Sequence, residues 1–243
     1  MNNVHEDLTL TWTIGGFDLH FSFSVIFMTT IAALIVAIFS IVGARKLAMR
    51  PTGLQNFIEW VMDFSRYIIT SNMAWEKGGK FIVLAYTLLF YIFVANMLGI
   101  PFELATETDH YVLWNSPTSD PVLTLTMAAF VIILTHIYGF RMRGAKEYFA
   151  DYFRPSPILL PFKLIEEVSN FLTLGLRLFG NIFAKELVTV MIVTLAFAGT
   201  VGFVLAWIPL APWLAFSIFL GALQAFIFAM LSMVYMAHKV ESH

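Results

Sequence analysis

The chain has 243 residues, of which 59% are hydrophobic and 12% charged, with a formal net charge of −2 and a mean hydropathy of +0.81. A soluble domain carries about 25% charged residues, so this composition excludes an ordinary soluble protein and indicates an integral membrane protein. The lack of cysteine excludes disulfides and thiolate metal sites, and no basic arm or glycine-rich phosphate loop indicates nucleic-acid or nucleotide binding. We therefore expect a single membrane domain over 1–243, without cofactor or metal.

The polar opening, 1–22, has neither a basic n-region nor a small-residue cleavage site, and we expect it to lie outside the membrane. Five hydrophobic blocks follow, each long enough to cross a hydrocarbon core of about 30 Å. They cover about 23–42, 81–100, 122–140, 162–198 and 213–237.

The segment 51–76 between the first two blocks has a different pattern. Its apolar residues recur with helical spacing, and charged residues occupy the other faces. The apolar positions are Leu54, Phe57, Ile58, Val61, Phe64 and Ile68. This pattern predicts an amphipathic helix on the membrane surface rather than a sixth crossing.

The fourth block is too long for a simple crossing. As a helix it would reach about 52 Å, against a hydrocarbon core of about 30 Å, so it is tilted or partly interfacial, and we favour strong tilt. A link over 199–212, with Gly199, Gly202, Pro209 and Pro212, predicts a turn, so that 162–238 form a long tilted hairpin. The predicted fold is thus all-α, with five membrane-crossing helices and one amphipathic surface helix.

The basic residues predict the orientation. Segments 45–80 and 141–163 hold most of the lysines and arginines, whereas 101–120 holds none. Positive-inside placement in a cell inner (plasma) membrane therefore puts the N-terminus outside and the C-terminus in the cytoplasm. Of the 14 basic residues, only Arg177 and Lys185 depart from this distribution, and both fall inside the fourth block.

Arg177, in the motif "LGLRLFGN", belongs to a polar stripe on one face of the fourth block. The stripe comprises Glu166, Asn170, Thr173, Arg177 and Asn181, and Lys185 continues it. A guanidinium keeps its charge, and Arg177 lies about 21 Å along the helix from Lys163, too far for simple snorkelling. Intramembrane charges are functional by default. Blocks one to three hold no acidic residue, so we expect its partner carboxylate on another subunit.

Folding the hairpin about residue 201 predicts which residues share a depth. Arg177 then lies level with Gln224, and Lys185 or Glu186 lies level with Ser217. Gly221, between Ser217 and Gln224, would allow close approach of the helices. Thr173, Thr189 and Ser217 are equally well interpreted as packing hydrogen bonders. Glu166 and Glu167 lie near a helix N-terminus, where a carboxylate is favourable without any further role.

Four stretches resemble the a subunit of the F-type ATP synthase, in its Bacillus-like bacterial version. They are "PTGLQNFIEW", "NMLGIPF", "LIEEVSNFLTLGLRLFGNIFAKE" and "LQAFIFAMLSMVYMAHK". The resemblance implies a proton-translocating subunit that is not an enzyme by itself, with two offset half-channels. It also implies a c-subunit ring whose carboxylates meet Arg177, which separates the half-channels and promotes deprotonation. A stator b subunit is the second implied partner.

The resemblance also assigns residues to the proton pathway. Residues of the last two blocks would border the outer half-channel, and two positions in earlier blocks would be further lining positions. These are Asn181, Glu186, Ser217 and Gln224, followed by Asn96 and Thr126. Lys185 replaces an expected small residue, and Ser217 stands where some members have His. Lys185 either pairs with Glu186 or a lipid headgroup, or it relays protons when outside protons are scarce.

Three other classes fit the sequence less well. A secondary transporter should show internal repeats, and none is present. A purely structural anchor gives no reason for Arg177. An intramembrane enzyme lacks a motif, since His136 stands alone and no His-Glu-x-x-His or Gly-x-Ser-x-Gly run occurs. Without a further acidic cluster we expect H⁺ rather than Na⁺ as the transported ion.

Overall fold

The computed structural model describes residues 9–14, 17–45, 47–100, 116–153, 156–196 and 200–241. These residues form two short strands followed by eight helices. The elements are β1 (Thr9–Ile14), β2 (Phe17–Ser22), α1 (Phe23–Ala44), α2 (Leu54–Thr70), α3 (Trp75–Gly78), α4 (Ile82–Leu98), α5 (Pro121–Arg143), α6 (Ala145–Phe153), α7 (Leu160–Ala196) and α8 (Thr200–Val240).

Five helical stretches are long and apolar enough to cross a membrane. They are Phe23–Ala44, Trp75–Leu98, Pro121–Arg143, Leu160–Leu195 and Leu205–Val240. The prediction of an α-helical, multi-pass membrane protein with five crossing helices is therefore confirmed. Helices satisfy their own backbone hydrogen bonds, which is why apolar stretches of this length adopt them in lipid.

A two-stranded antiparallel hairpin precedes α1, and the sequence analysis did not predict it. Its register runs from the pair Thr9–Ser22 to the pair Ile14–Phe17. Threonine alternates through β1, and both strands contain aromatic residues; these residue types favour extended pairing, which satisfies the backbone groups locally. The hairpin adds a feature before the first crossing helix and leaves the five-helix architecture unchanged.

The amphipathic segment is helical over Leu54–Thr70, and it buries one face against α1 and α4. Ile58 and Ile68 are buried, whereas Trp60 is 63% exposed. A Cβ placed on Gly43 of α1 would lie 2.8 Å from Ile58 Cγ1, so glycine permits this close contact. The exposed face fits the predicted position of α2 at the membrane surface, which stays a prediction.

The helices α7 and α8 contain 37 and 41 residues. Their lengths, about 55 and 61 Å, exceed the hydrocarbon core, so both helices tilt or project beyond it. The predicted turn over 199–212 is wrong for the part that the structure describes, because α8 already begins at Thr200 and contains Pro209 and Pro212. Membrane helices tolerate proline where neighbouring groups satisfy the freed carbonyls. The link after Ala196, with Gly199, lies outside the described residues.

Helix α8 is the centre of the bundle and packs against α4, α5 and α7. Helices α5 and α7 approach closely at Gly175, where an added Cβ would lie 2.7 Å from Leu125 Cδ2. We call the end where α5 and α8 finish and α7 begins the basic end, since it carries Arg141, Lys163 and Lys239. The opposite end, where α7 finishes and α8 begins, is the turn end.

Candidate functional site

Arg177 occupies the middle of α7 and is partly exposed. It makes no ion pair or hydrogen bond with any residue that the structure describes, although its charge interacts electrostatically with Tyr235 of α8. One turn further on, a Cβ added to Gly180 would meet no atom within 4 Å. Residues three apart share a helix face, so the described residues leave the face of α7 that carries Arg177 and Gly180 uncovered.

Asn181 and Gln224 connect the two long helices. Asn181 Nδ2 donates to Gln224 Oε1 at 2.7 Å, and Gln224 is only 2% exposed. The predicted register placed Gln224 level with Arg177, so the hydrogen bond to Asn181 corrects that register by about one helical turn. The Nε2 of Gln224 is buried and has no hydrogen-bond acceptor among the described residues.

Towards the turn end, further polar side chains of α7 and α8 are buried. Lys185 is 2% exposed, and Thr189 and Ser217 are each 1% exposed. Trp213 Nε1 donates to Thr189 Oγ1 at 3.0 Å, and Thr189 Oγ1 donates to the Lys185 carbonyl at 3.0 Å. Thr189 is therefore a packing hydrogen bonder. Ser217 Oγ, by contrast, has no hydrogen-bond partner in the described part of the chain.

Together these side chains form a row that we call the turn-end row. It consists of Asn181, Lys185, Ser217 and Gln224, with half-buried Glu186 beside Lys185 in sequence. The row begins one turn beyond Arg177 and continues towards the turn end. Within this row the structure joins Asn181 to Gln224 by a hydrogen bond, and it buries Lys185 and Ser217.

The two predicted positions outside the hairpin behave differently from each other. Thr126 is exposed on α5 and donates to the carbonyl of Val122 in its own helix at 2.6 Å. Asn96 is completely buried and donates to the Gly221 carbonyl of α8 at 3.0 Å. Thus Asn96 contacts α8 within one turn of Gln224, whereas Thr126 makes no described side-chain contact with α7 or α8.

A pocket of about 310 Å³ opens at the basic end between α5, α6, α7 and α8. Its lining is Ile132, Thr135, Tyr152, Lys163, Glu166, Glu167, Asn170, Tyr235, His238 and Lys239. Three of the polar residues predicted on α7, Glu166, Glu167 and Asn170, thus line one cavity. The fourth, Thr173, is exposed and is not part of the lining. Because Tyr235 also interacts with Arg177, the pocket reaches the electrostatic neighbourhood of that charge.

A polar cluster closes one side of this pocket. Glu167 forms an ion pair with Lys239 and accepts a hydrogen bond from Tyr152 at 3.2 Å. His136 Nε2 lies 3.6 Å from Glu167 Oε2, and His136 Nδ1 lies 2.5 Å from the Tyr148 hydroxyl. The prediction that His136 stands alone is therefore wrong, because four helices each supply a member of this cluster. We call these five residues the basic-end cluster.

Helix α6 supplies the two tyrosines of the basic-end cluster. Burial, followed by the hydrogen bond to Tyr152, raises the pKa of Tyr148, so its phenol stays protonated. Lys239 Nζ lies 4.7 Å from the centroid of the Tyr152 ring, a cation–π distance. Gly139 permits the approach, since an added Cβ would lie 2.8 Å from Tyr148 Cε2. Sequence reasoning missed α6, and the only signal for it was the spacing of four between the tyrosines.

No group of three or more potential metal ligands occurs within the described ranges. Along the hairpin, the fixed positive charge of Arg177 lies between the polar cavity at the basic end and the turn-end row, of which Lys185, Ser217 and Gln224 are buried. A multi-pass membrane protein with this arrangement belongs to the class of proteins that move ions across a bilayer.

The comparisons with known proteins narrow this class to a family. The model of the family described as the ATP synthase A chain matches residues 26–237. ATP synthase subunit a of Alkalihalophilus pseudofirmus is 61% identical, over 93% of this chain and 94% of that protein. The same subunit of Shouchella clausii is 63% identical over 88% and 90%, and that of Priestia megaterium is 52% identical over 95% and 97%. The chain therefore belongs to the ATP synthase A chain family, and the resemblance to Bacillus-like members is confirmed.

Proposed function

We propose that this chain is the proton-translocating a subunit of a rotary F-type ATP synthase. The observation that carries the proposal is Arg177, a permanent charge without an ion-pair partner among the described residues, located between two polar regions of one hairpin. Family membership supports the assignment. ATP chemistry then takes place elsewhere in the complex, and this subunit supplies the ion path.

The two polar regions become the two half-channels of the proposal. The turn-end row would border the outer half-channel, and the pocket with Glu166 and Asn170 would open the inner one. The row and the pocket lie on opposite sides of Arg177 along α7, which is the offset that such a path requires. This assignment places the N-terminus outside and the C-terminus in the cytoplasm, in accord with the distribution of basic residues.

The uncovered face of α7 is the natural surface for a ring of c subunits. A ring carboxylate about 4 Å from the guanidinium would gain about 4 kcal/mol at an effective dielectric of 20. That stabilisation lowers the pKa of the carboxyl by about three, enough to discharge an acid that is protonated in lipid. The same charge repels a proton that would hop directly between half-channels. Lysine would serve less well because desolvation can neutralise it, whereas a guanidinium stays charged.

The membrane potential drives the cycle, at about 2.3 kcal/mol per elementary charge per 100 mV. Each ring carboxylate takes a proton from one half-channel, moves through lipid, and releases the proton into the other. The stator b subunit would hold this chain against the turning ring. Lys185, buried at the turn-end row, would lie beside the outer half-channel, where it could exchange or retain protons.

Replacing Arg177 tests the proposal directly. In membrane vesicles with the assembled complex, Arg177→Ala is expected to abolish ATP synthesis driven by an imposed proton gradient. The matched control is Arg50→Ala, which removes the same charge from an exposed residue outside the crossing helices. Coupled synthesis that persists in Arg177→Ala would contradict the proposal.

Purification provides a separate test of the partners. Detergent extraction of the native complex should yield this chain together with a ring of small subunits, each carrying a membrane-embedded carboxylate. A chain that runs without such a ring under conditions that keep the complex intact would argue for a transporter instead.

A further inference from the structure

Asn96 of α4 is a completely buried amide whose two ends face different elements. Its Nδ2 donates to the Gly221 carbonyl of α8 at 3.0 Å, and its Oδ1 accepts from Thr118 Oγ1 at 2.8 Å. Thr118 is also completely buried, in the short helical turn Pro117–Ser119 that precedes α5. Both polar atoms of this side chain are thus engaged with buried partners of the neighbouring elements, which makes the amide a bridge between them. The predicted lining role of Asn96 in the pathway therefore does not explain its position.

The contact with Gly221 is unusually close for two membrane helices. An added Cβ on Gly221 would lie 3.2 Å from Asn96 Cβ and 2.7 Å from Met97 Cε. Glycine thus lets the side chain of Asn96 reach a main-chain oxygen of α8. A carbonyl has two lone pairs, so it can accept this hydrogen bond in addition to the bond of its own helix.

Gly221 also lies between the two residues of α8 that belong to the turn-end row, Ser217 and Gln224. Upstream of them, Pro209 and Pro212 lie inside α8, and each removes a backbone donor from the helix. Those missing hydrogen bonds weaken the mechanical continuity between the start of α8 and the stretch that carries Gln224. A polar contact from outside α8 then adds to the packing that fixes the register of that stretch.

A small shift of α8 is enough to break the hydrogen bond between Asn181 and Gln224 in the turn-end row. Asn181 and Gln224 are joined by one hydrogen bond of 2.7 Å, and such a bond is effectively lost beyond about 3.5 Å. A slide of α8 by a single residue moves its atoms by about 1.5 Å and rotates them by about 100°. Holding the Gly221 carbonyl therefore also holds Gln224, one turn further along, opposite Asn181.

We propose that Asn96 is a positioning residue that fixes the register of α8 so that Gln224 meets Asn181 in the proton path. The inference rests on the proposed function of the hairpin, and it removes Asn96 from the residues that contact the proton. Thr118 completes the arrangement by holding Oδ1, which orients the amide so that Nδ2 points to α8.

The test uses ATP-driven proton pumping by the assembled complex in inverted membrane vesicles, with the amount of this chain measured by immunoblot. Asn96→Ala is expected to lower pumping about tenfold per assembled complex, the factor that corresponds to about 1.4 kcal/mol. Gly221→Ala should have a similar effect, because its methyl group pushes α8 away from α4. Ser65→Ala is the matched control, since Ser65 is equally buried but bonds only the Val61 carbonyl of its own helix.

Two further measurements separate positioning from a general loss of structure. The double variant Asn96→Ala with Gln224→Ala should show pumping no slower than that of the slower single variant. Both substitutions remove the same alignment of Gln224 with Asn181. In Asn96→Asp the buried acid can donate to the Gly221 carbonyl only when it is protonated. Pumping by Asn96→Asp should therefore recover as the pH falls, while Asn96→Ala should show no such recovery.

The inference would be overturned if the losses of pumping in the two single variants multiplied in the double variant. It would also be overturned if pumping by Asn96→Asp followed that of Asn96→Ala at all pH values. Normal pumping in Asn96→Ala would overturn it as well. The Arg177→Ala variant measured alongside keeps the two proposals apart. If Arg177→Ala is inactive and Asn96→Ala is normal, only the positioning role fails, whereas an active Arg177→Ala removes the proposed function itself.

Discussion

Replacing Lys239 by methionine keeps an unbranched side chain one atom shorter but removes the ammonium from the basic-end cluster. Glu167 would then retain the Tyr152 hydroxyl at 3.2 Å and His136 at 3.6 Å. Its side chain is only 21% exposed, so water replaces the lost partner incompletely. The variant therefore leaves a poorly compensated carboxylate at the junction of α5, α6, α7 and α8.

The size of the effect follows from this geometry. Removing one partner of a fully buried ion pair costs about 3–5 kcal/mol. Because about a fifth of each side chain reaches solvent, we reduce this cost to about 2 kcal/mol. An energy of about 2 kcal/mol corresponds to an equilibrium shift of about 30-fold. Helix α6 is held to the bundle through Tyr148 and Tyr152, so the loss should appear as easier local opening of α6.

Hydrogen–deuterium exchange on the assembled complex measures that opening. In Lys239→Met we expect the backbone amides of α6, Ala145–Phe153, to exchange about 30-fold faster than in the parent. Lys146→Met is the control, because it removes an exposed lysine from α6 itself. The double variant Glu167→Gln with Lys239→Met should exchange more slowly than Lys239→Met alone, since no carboxylate is left without a cation. Unchanged exchange of α6 in Lys239→Met would refute the reasoning.

Two further predictions concern the channel hairpin. Lys185→Gly should lower proton-driven ATP synthesis at alkaline external pH more than at neutral pH, because a buried amine near the outer half-channel would no longer retain protons. A synthesis profile that keeps its shape across external pH would discard that role. Gly180→Val should leave the amount of chain in the membrane unchanged yet reduce coupled synthesis, because the valine meets only the partner ring. Gly175→Val, whose Cβ would lie 2.7 Å from Leu125 Cδ2, should instead lower the amount of chain in the membrane. If both variants lowered the amount of chain equally, the assignment of the uncovered face would be contradicted.

The crossing helices could be predicted because a single property, the length of an uninterrupted apolar stretch, determines whether a segment crosses the membrane as a helix. The first block was predicted over 23–42, and α1 covers Phe23–Ala44. The stripe with Arg177 could be predicted for a similar reason, since helical periodicity alone places its members on one face. Both inferences use local sequence and need no knowledge of which helices are neighbours.

The features that sequence reasoning missed depend on contacts between distant segments. Pro209 and Pro212 indicated a turn, yet the packing of α8 against α4, α5 and α7 keeps them within a helix. His136 and Lys239 are far apart in sequence, and only the folded bundle brings both to Glu167. Asn96 was assigned as a lining residue through the family resemblance, whereas its hydrogen bonds to Gly221 and Thr118 exist only in the folded bundle.

The uncovered face of α7 has a consequence for how such a chain is made. A newly inserted copy exposes a guanidinium towards acyl chains, which costs about 2.5–3.5 kcal/mol on insertion scales until an acid from a neighbour neutralises it. An orphan copy is thus less stable in the bilayer than one docked to its ring, and it presents a recognisable feature to membrane-bound proteases. We expect biogenesis to favour late incorporation of this subunit, after the ring is complete, which also keeps an unfinished assembly from leaking ions.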